Sequence, residues 1–343
     1  MAIDMHAHWV GEGLAQALRA RTAAPRIRYD AASGEERLDN GGSRLIRLPE
    51  GFEDDVATRL RKMDETGVER GVLSLATQYH VEWLPLAESL PLCRAYNDAL
   101  SAACAAHPDR FSAIAALPVA DVGAAVREFE RAMQLPGMVG ALLIGDAFLS
   151  VRRAERWRPL LEAADRRRAM LFVHYGQLPD DPEAPRYDLS DSAFVRVVTL
   201  DFQARLSAAM VTLCLTDLLK PYPNLTVVTH NLGGNIPFEI ERMDHRAIID
   251  EGPGAVLPSA RFRDAPVLVD CNSFGPRAIE LAAEVYGPDK IVFGSDGSMF
   301  GVRWSFDAIE KARIPEAAKQ AILTGNAQTA LDRVAASRQS AAS

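Results

Sequence analysis

The sequence lacks the features that would mark a secreted, membrane-bound or nucleic-acid-binding protein. Its four cysteines, Cys93, Cys104, Cys214 and Cys271, form no C-x-x-C pair, which favours buried thiols in a reducing cytoplasm over a disulfide framework. The N-terminus has no basic region before an apolar stretch, and no apolar run approaches about 18 residues, so we expect neither signal peptide nor membrane span. The net charge of -8, without any basic block, argues against a nucleic-acid partner.

The length and composition indicate a large globular domain. With 343 residues, of which 48% are hydrophobic, the chain can bury a large core. This length permits two domains, but α/β barrels routinely exceed about 200 residues as one unit. We therefore expect a single domain over residues 1–334, followed by a frayed Ser/Ala-rich tail over 335–343.

Short apolar segments alternate with helical periodicity along the whole chain. The eight predicted strands are Ala2–His8, Gly71–Leu75, Phe111–Leu117, Val139–Ile144, Ala169–His174, Leu225–Thr229, Val267–Asp270 and Ile291–Gly294. Strands that are almost entirely apolar are typical of a parallel sheet buried on both faces. Their number favours an α/β fold, a closed (β/α)8 TIM barrel, with an open doubly wound sheet as the alternative.

The segment after the first strand breaks this alternation. Residues 11–51 contain Pro and Gly punctuation and charged residues without a strong period. We expect an irregular excursion that serves as a lid, with a hairpin around residues 39–42.

The first strand carries the pattern His6-Ala7-His8. Residues two apart on a strand project to one face, so both imidazoles can reach one point. Neutral imidazole is a common ligand for zinc-like ions, which makes this a candidate metal site. Two ordinary buried histidines are the alternative.

Three other polar residues stand at the ends of later predicted strands. His174 ends the fifth strand, His230 follows the sixth and Asp296 follows the eighth. In a (β/α)8 barrel the chemistry lies at the carboxyl ends of the strands, so these residues are expected to converge with His6 and His8. Each residue also has a plainer interpretation. His174 would be a core imidazole, His230 would shape the glycine-rich turn that follows it, and Asp296 would cap the next helix.

These residues give the chain its resemblance to a known family. It resembles the amidohydrolase superfamily, which carries His-X-His on strand one, His on strands five and six, and Asp on strand eight. More narrowly it is similar to the branch of aminocarboxymuconate-semialdehyde decarboxylase-like enzymes. The similar segments are Ile3–His8, Arg59–Val68, His107–Phe111, Leu117-Pro118, Phe172–His174, Thr229–Arg242 and Phe293–Asp296.

The resemblance implies a metal centre with assigned roles. His6, His8, His174 and Asp296 would hold one divalent ion, with zinc as the default and manganese as the alternative. His230 would be the base that does not bind the metal. Binuclear members add a Lys or Glu on strand four, and Val139–Ile144 offers neither, so one metal is expected.

The implied reaction is metal-dependent non-oxidative decarboxylation of an unsaturated or aromatic carboxylic acid, in which Asp296 or His230 delivers a proton to carbon. A mononuclear hydrolase of a lactone, amide or C–C bond is the runner-up, because the same ligands serve both reactions. A non-catalytic metal-dependent binding protein is the third class. The loops after His230 and Asp296 depart from the branch pattern, which indicates a different substrate from that of the name-giving enzyme.

The resemblance also suggests residues that bind the substrate. Arg242 aligns with a family arginine that holds the substrate carboxylate, often across a homodimer interface, and Arg47 is a second candidate. Solvated surface charge is the alternative for both. Trp9 and Tyr175 are candidate pocket walls, as are Phe300 and Trp304, with core packing as the plainer interpretation.

Overall fold

The computed structural model describes residues 1–42, 44–179, 192 and 194–342. The strands are β1 (Ala2–His8), β2 (Arg26–Asp30), β3 (Glu35–Asp39), β4 (Ile46–Arg47), β5 (Val68–Ser74), β6 (Phe111–Ala115), β7 (Met138–Ile144), β8 (Met170–His174), β9 (Thr226–Thr229), β10 (Val267–Asp270) and β11 (Ile291–Val292). The α-helices are α1 (Gly11–Arg19), α2 (Val56–Thr66), α3 (Leu86–Ala106), α4 (Val122–Ala132), α5 (Val151–Ala154), α6 (Arg158–Arg166), α7 (Phe202–Leu215), α8 (Ile236–Glu251), α9 (Pro258–Asp264), α10 (Pro276–Tyr286), α11 (Gly297–Phe300), α12 (Val302–Lys311), α13 (Glu316–Gln320) and α14 (Asn326–Ala342).

Eight of the strands form one parallel sheet in chain order, β1 followed by β5 to β11. The sheet closes between its first and last strands through two backbone hydrogen bonds. Met5 N donates to Phe293 O at 2.9 Å, and Asp296 N donates to His6 O at 2.9 Å. The prediction of a (β/α)8 barrel is confirmed, and the open sheet is not formed.

The apolar composition of the strands explains their place at the centre. All residues of β1, β6, β7, β8 and β9 are buried. The helices cover them with large side chains such as Phe129 of α4, and Trp157, just before α6, is also fully buried. Such strands need cover on both faces, which the barrel interior and the outer helices provide.

The first strand contains a bulge at the position of its histidines. Asp4 pairs with Gly71 and Ala7 pairs with Leu73, so three residue steps of β1 oppose two steps of β5. A bulge of this kind bends the strand and re-aims the side chains beside it. The orientation of His6 and His8 therefore depends on this irregularity as well as on strand alternation.

The described residues of the excursion after β1 form regular secondary structure, which corrects the expectation of an irregular segment. It holds α1 and a three-stranded antiparallel sheet of β2, β3 and β4, and the predicted hairpin near residue 40 joins β3 to β4. Ile27 and Leu38 are buried residues of this small sheet, whereas most of its other residues are polar. Because so few residues of the small sheet are buried, the alternation of apolar and polar residues is too weak to identify its strands from the sequence.

Two helical stretches, Val195–Leu215 and α14, bear on the predictions of no membrane span and of a frayed tail. Val195–Leu215 is long and apolar enough, by length and composition, to cross a membrane. In the structure its α7 part buries Leu206, Met210 and Leu213 against the barrel, as a helix of the outer layer does. The backbone of α14 stays helical to Ala342, and the division into a barrel and a tail remains a prediction. The sequence also predicts a polar loop over residues 177–191, and most of this stretch lies outside the described residues.

Candidate metal centre

Three of the predicted ligands meet at the carboxyl ends of β1 and β8. His6, His8 and His174 are all buried, and one ring nitrogen from each lies within 4.8 Å of the others. His8 Nε2 is 2.9 Å from His6 Nε2 and 3.2 Å from His174 Nε2. The barrel thus brings together imidazoles that are 166 residues apart in sequence.

Asp296 stands at the edge of this cluster. Its Oδ1 atom is 3.8 Å from His8 Nε2, and this buried oxygen has no hydrogen-bond partner among the described residues. The backbone at Asp296 adopts a left-handed conformation with φ of 44°. A non-glycine residue in this region usually marks a local constraint, here at a residue predicted to be functional.

The outward-facing nitrogens of the cluster are held by hydrogen bonds. His6 Nδ1 lies 2.8 Å from Asp270 Oδ2, and His174 Nδ1 lies 2.9 Å from the carbonyl oxygen of Tyr175. A carbonyl oxygen and an ionised carboxylate oxygen can only accept a hydrogen bond. The proton therefore lies on Nδ1 of each imidazole. In the neutral form of each ring, the Nε2 atoms of His6 and His174 then direct lone pairs into the cluster.

The environment keeps most of these imidazoles neutral. Burial, aided by the charge of His6, lowers the pKa of His174 to about 3, and burial likewise lowers the pKa of His8 well below its ordinary value. Burial also opposes a charged His6, but the carboxylates of Asp270, Asp296 and Asp4 together outweigh it and raise the pKa of His6 to about 9. Burial raises the pKa of Asp296 to about 7.

These features fit a bound cation. Lone pairs on buried nitrogens at 2.9 and 3.2 Å repel one another unless something positive lies between them. A single proton can bridge one pair of these atoms, whereas a metal ion accepts from all of them and from the unpartnered Asp296 Oδ1. Ligand imidazoles must be neutral at the binding nitrogen, which the hydrogen bonds at Nδ1 favour.

His230 lies beside the cluster. Its ring stacks on that of His174 with centroids 4.4 Å apart, and its Nε2 accepts a hydrogen bond from Tyr175 N at 2.8 Å. Burial lowers the pKa of His230 well below its ordinary value. Since Nε2 is occupied, Nδ1 is the nitrogen through which a neutral His230 can exchange a proton.

Sequence reasoning missed two buried aspartates that organise the site. Asp4 Oδ1 accepts from the N–H groups of His6 and Ser295, both at 3.0 Å, and so ties β1 to the segment before Asp296. Asp270, at the end of β10, accepts from His6 as described above. The signal for Asp270 was an acid closing the apolar run Val267-Leu268-Val269, in the same place along its strand as His174.

The two predicted arginines lie on the surface. Arg242 is exposed on α8 and Arg47 is exposed at the end of β4. Neither guanidinium forms a hydrogen bond or an ion pair within the part of the chain that the structure describes. Asp146, which follows β7, is buried in an ion pair with Arg205 and lies outside the histidine cluster.

The predicted aromatic walls divide into two groups. Trp9 is buried, donates from Nε1 to Asp54 O at 2.8 Å, and borders a 380 Å³ groove whose lining includes none of the predicted metal ligands. Tyr175 is half-buried and stacks on Phe202. Phe300 and Trp304 are 53% and 56% exposed, so neither is a core residue of the single chain.

A metal-binding (β/α)8 barrel with this arrangement is an enzyme architecture, and comparison with known proteins identifies its family. The family model described as amidohydrolase matches residues 3–333. The gamma-resorcylate decarboxylase of Polaromonas sp. strain JS666 is 30% identical over 284 residues, which are 79% of this chain and 85% of that protein. The chain therefore belongs to the amidohydrolase family.

Solved structures share the fold. The apo form of Metarhizium anisopliae IDCase has a TM-score of 0.78 at 20% identity, and the match covers 97% of both chains. A dihydroxybenzoic acid decarboxylase from Polaromonas sp. JS666, solved with manganese and the inhibitor 2-nitroresorcinol, has a TM-score of 0.66 at 22% identity, with 96% of both chains covered.

Proposed function

We propose that this protein is a metal-dependent carboxy-lyase that removes carbon dioxide without oxidation from an aromatic carboxylic acid. The observation that carries the proposal is the buried convergence of His6, His8 and His174 beside Asp296. The Polaromonas relative is named a gamma-resorcylate decarboxylase, which supports this reaction over the hydrolase alternative.

His6, His8, His174 and Asp296 would hold one divalent ion. Three imidazoles and one carboxylate favour zinc, because imidazole suits zinc whereas manganese prefers oxygen ligands. The manganese bound by the Polaromonas structure makes manganese the alternative. When bound, such an ion polarises a carboxylate or neighbouring oxygen of the substrate and stabilises negative charge there.

The protein's own residues would supply the proton. Asp296, whose Oδ1 lies 3.8 Å from His8 Nε2 at the edge of the cluster, would deliver a proton to the ring carbon that bears the carboxylate. The C–C bond then breaks and carbon dioxide leaves, so one proton replaces one carboxylate. His230, free only at Nδ1, would move protons between the site and solvent.

The direct test measures gas release from candidate acids. We expect the metal-loaded enzyme to release one carbon dioxide for each hydroxylated benzoic acid consumed, and to lose this activity on dialysis against a chelator. Separate reconstitution with zinc and with manganese tests which metal supports turnover.

The control is the same acid methylated at its carboxylate, which should give no gas. A product that has gained one water, without carbon dioxide, would instead establish the hydrolase alternative. Turnover that survives complete metal removal would contradict the proposed centre.

We further propose a cytoplasmic homodimer in which Arg242 binds the substrate carboxylate of the partner copy. Cytoplasmic placement is supported by four buried free cysteines. On α8, Phe238, Arg242, His245 and Ile249 follow the spacing of one helical face, and all four are exposed. Phe238 is 82% exposed and Ile249 is 60% exposed, a pattern typical of a protein–protein contact.

Roles for Arg47, Trp9 and Tyr175 in substrate binding remain predictions.

Replacing Phe238 by Asp should convert the dimer to a monomer, because a buried carboxylate at the contact would lack a partner. Analytical ultracentrifugation should report twice the 37.4 kDa chain mass for the parent and the single mass for the variant. Tyr29→Asp, at an exposed site on β2, is the matched control and should stay dimeric. A monomeric parent protein would refute the dimer.

A further inference from the structure

Asp270 holds three elements of the barrel mouth through one buried carboxylate. Its Oδ2 lies 2.8 Å from His6 Nδ1, and both side chains are fully buried. Its Oδ1 accepts from Asn231 N at 3.1 Å, Asn272 N at 3.1 Å and Asn272 Nδ2 at 2.9 Å. The carboxylate therefore joins β1, the turn after β9 and the loop after β10.

The close approach of Asp270 and His6 depends on a glycine between them. A Cβ atom placed on Gly294 would lie 2.7 Å from Asp270 Cβ and 3.0 Å from His6 Cβ. Real Cβ contacts are almost never this short, so a side chain at 294 would push the pair apart. The contact between Asp270 and His6 therefore requires a residue without a side chain at position 294.

Two groups compete for His6 Nδ1. Asn272 Nδ2 is also 2.8 Å from it and can only donate, whereas Asp270 Oδ2 can only accept. A hydrogen bond to a buried charged acceptor is roughly twice as strong as one between neutral groups. The hydrogen bond to Asp270 is therefore the stronger one, and the proton of a neutral His6 resides on Nδ1.

We propose that Asp270 is a positioning residue that fixes the tautomer of His6, so that the Nε2 lone pair faces the ligand cluster. This inference rests on the metal centre proposed above. Without the carboxylate, the donor Asn272 Nδ2 would draw the proton of His6 to Nε2, where it would block metal binding.

The amide variant makes the inference testable. In Asp270→Asn, the side-chain oxygen would keep the three donors that face Oδ1, which leaves the new NH2 group against His6 Nδ1. Two donors would then face that nitrogen, so it must accept and the proton must move to Nε2. Replacing a carboxylate that orients a histidine by its amide has this inverting effect in other enzymes.

The experiment measures zinc affinity by chelator competition for the parent, Asp270→Asn and Asp270→Ala. Loss of a residue that orients a ligand typically lowers metal affinity by about 10–100-fold. We expect Asp270→Asn near the upper end and Asp270→Ala near the lower end, because asparagine places a second donor against His6 Nδ1 whereas alanine leaves only the donor of Asn272. Asp264→Asn, the same change at an exposed site on α9, should leave zinc affinity unchanged.

The order of the two variants separates this role from a merely structural one. If Asp270 only filled space, the isosteric asparagine would be milder than alanine, and that result would overturn the inference. Melting curves of the apo proteins show whether either variant has lost its fold, and a folded Asp270→Asn with parental affinity would also refute it. A parent that binds no zinc or manganese would refute the proposed function instead.

Discussion

Replacing Asp296 by asparagine is expected to lower kcat for decarboxylation by about 10³-fold, which corresponds to about 4 kcal/mol of transition-state stabilisation. A positioned general acid typically contributes about 10²–10⁴-fold. Asparagine matches the shape of aspartate and retains one oxygen that can face the cluster, but it cannot hold a transferable proton. The loss should fall on kcat, with KM changed far less.

The measurement is carbon dioxide release under saturating substrate, together with metal content from elemental analysis. Asp296→Glu offers a second variant that keeps a carboxylic acid and should recover part of the rate. Asp289→Asn removes the same charge at an exposed position and should behave as the parent. If Asp296→Asn kept its metal and a kcat within tenfold of the parent, Asp296 would not be the acid.

Replacing Gly140 by alanine is expected to destabilise the barrel by more than about 4 kcal/mol, or to prevent folding. The added Cβ would lie 2.0 Å from the carbonyl oxygen and 2.7 Å from the carbonyl carbon of Met170 on the neighbouring strand. These are backbone atoms of β8, paired with β7 at this point, so no flexible side chain can yield. Effects this large arise from a few mechanisms, of which overpacking is one.

Denaturant unfolding followed by circular dichroism checks this prediction. Gly13→Ala is the matched control, because nothing lies within 4 Å of a Cβ at that helical position. This control should be neutral or stabilising by up to about 1 kcal/mol, since alanine favours helix over glycine. A Gly140→Ala protein within 1 kcal/mol of the parent would show that β7 and β8 separate more readily than their pairing indicates.

The sequence was sufficient to predict the barrel and the convergence of its polar strand ends. Most barrel strands are short apolar runs, and parallel strands place their carboxyl ends on one side, so His6, His8 and His174 could be assigned to one site. That inference needed only the order of strands and the position of each histidine along its own strand. No knowledge of contacts between strands was required.

The remaining features depend on contacts that the sequence does not display. Asp270 could be seen to end a strand, but its bond to His6 requires neighbours 264 residues apart in the chain. The bulge in β1 arises from its register with β5, which no local pattern encodes. The small sheet of β2 to β4 has so few buried positions that its period is lost among charged residues.

The seam where the barrel closes has a consequence for how the enzyme is made. Two backbone hydrogen bonds close the seam, and one of them joins His6 to Asp296, the first and last residues of the proposed site. A growing polypeptide therefore exposes its first imidazoles to the cell long before Asp296, the last proposed ligand, is synthesised. Contacts between such distant positions form slowly, so truncated chains that stop short of β11 should emerge unable to retain the ion.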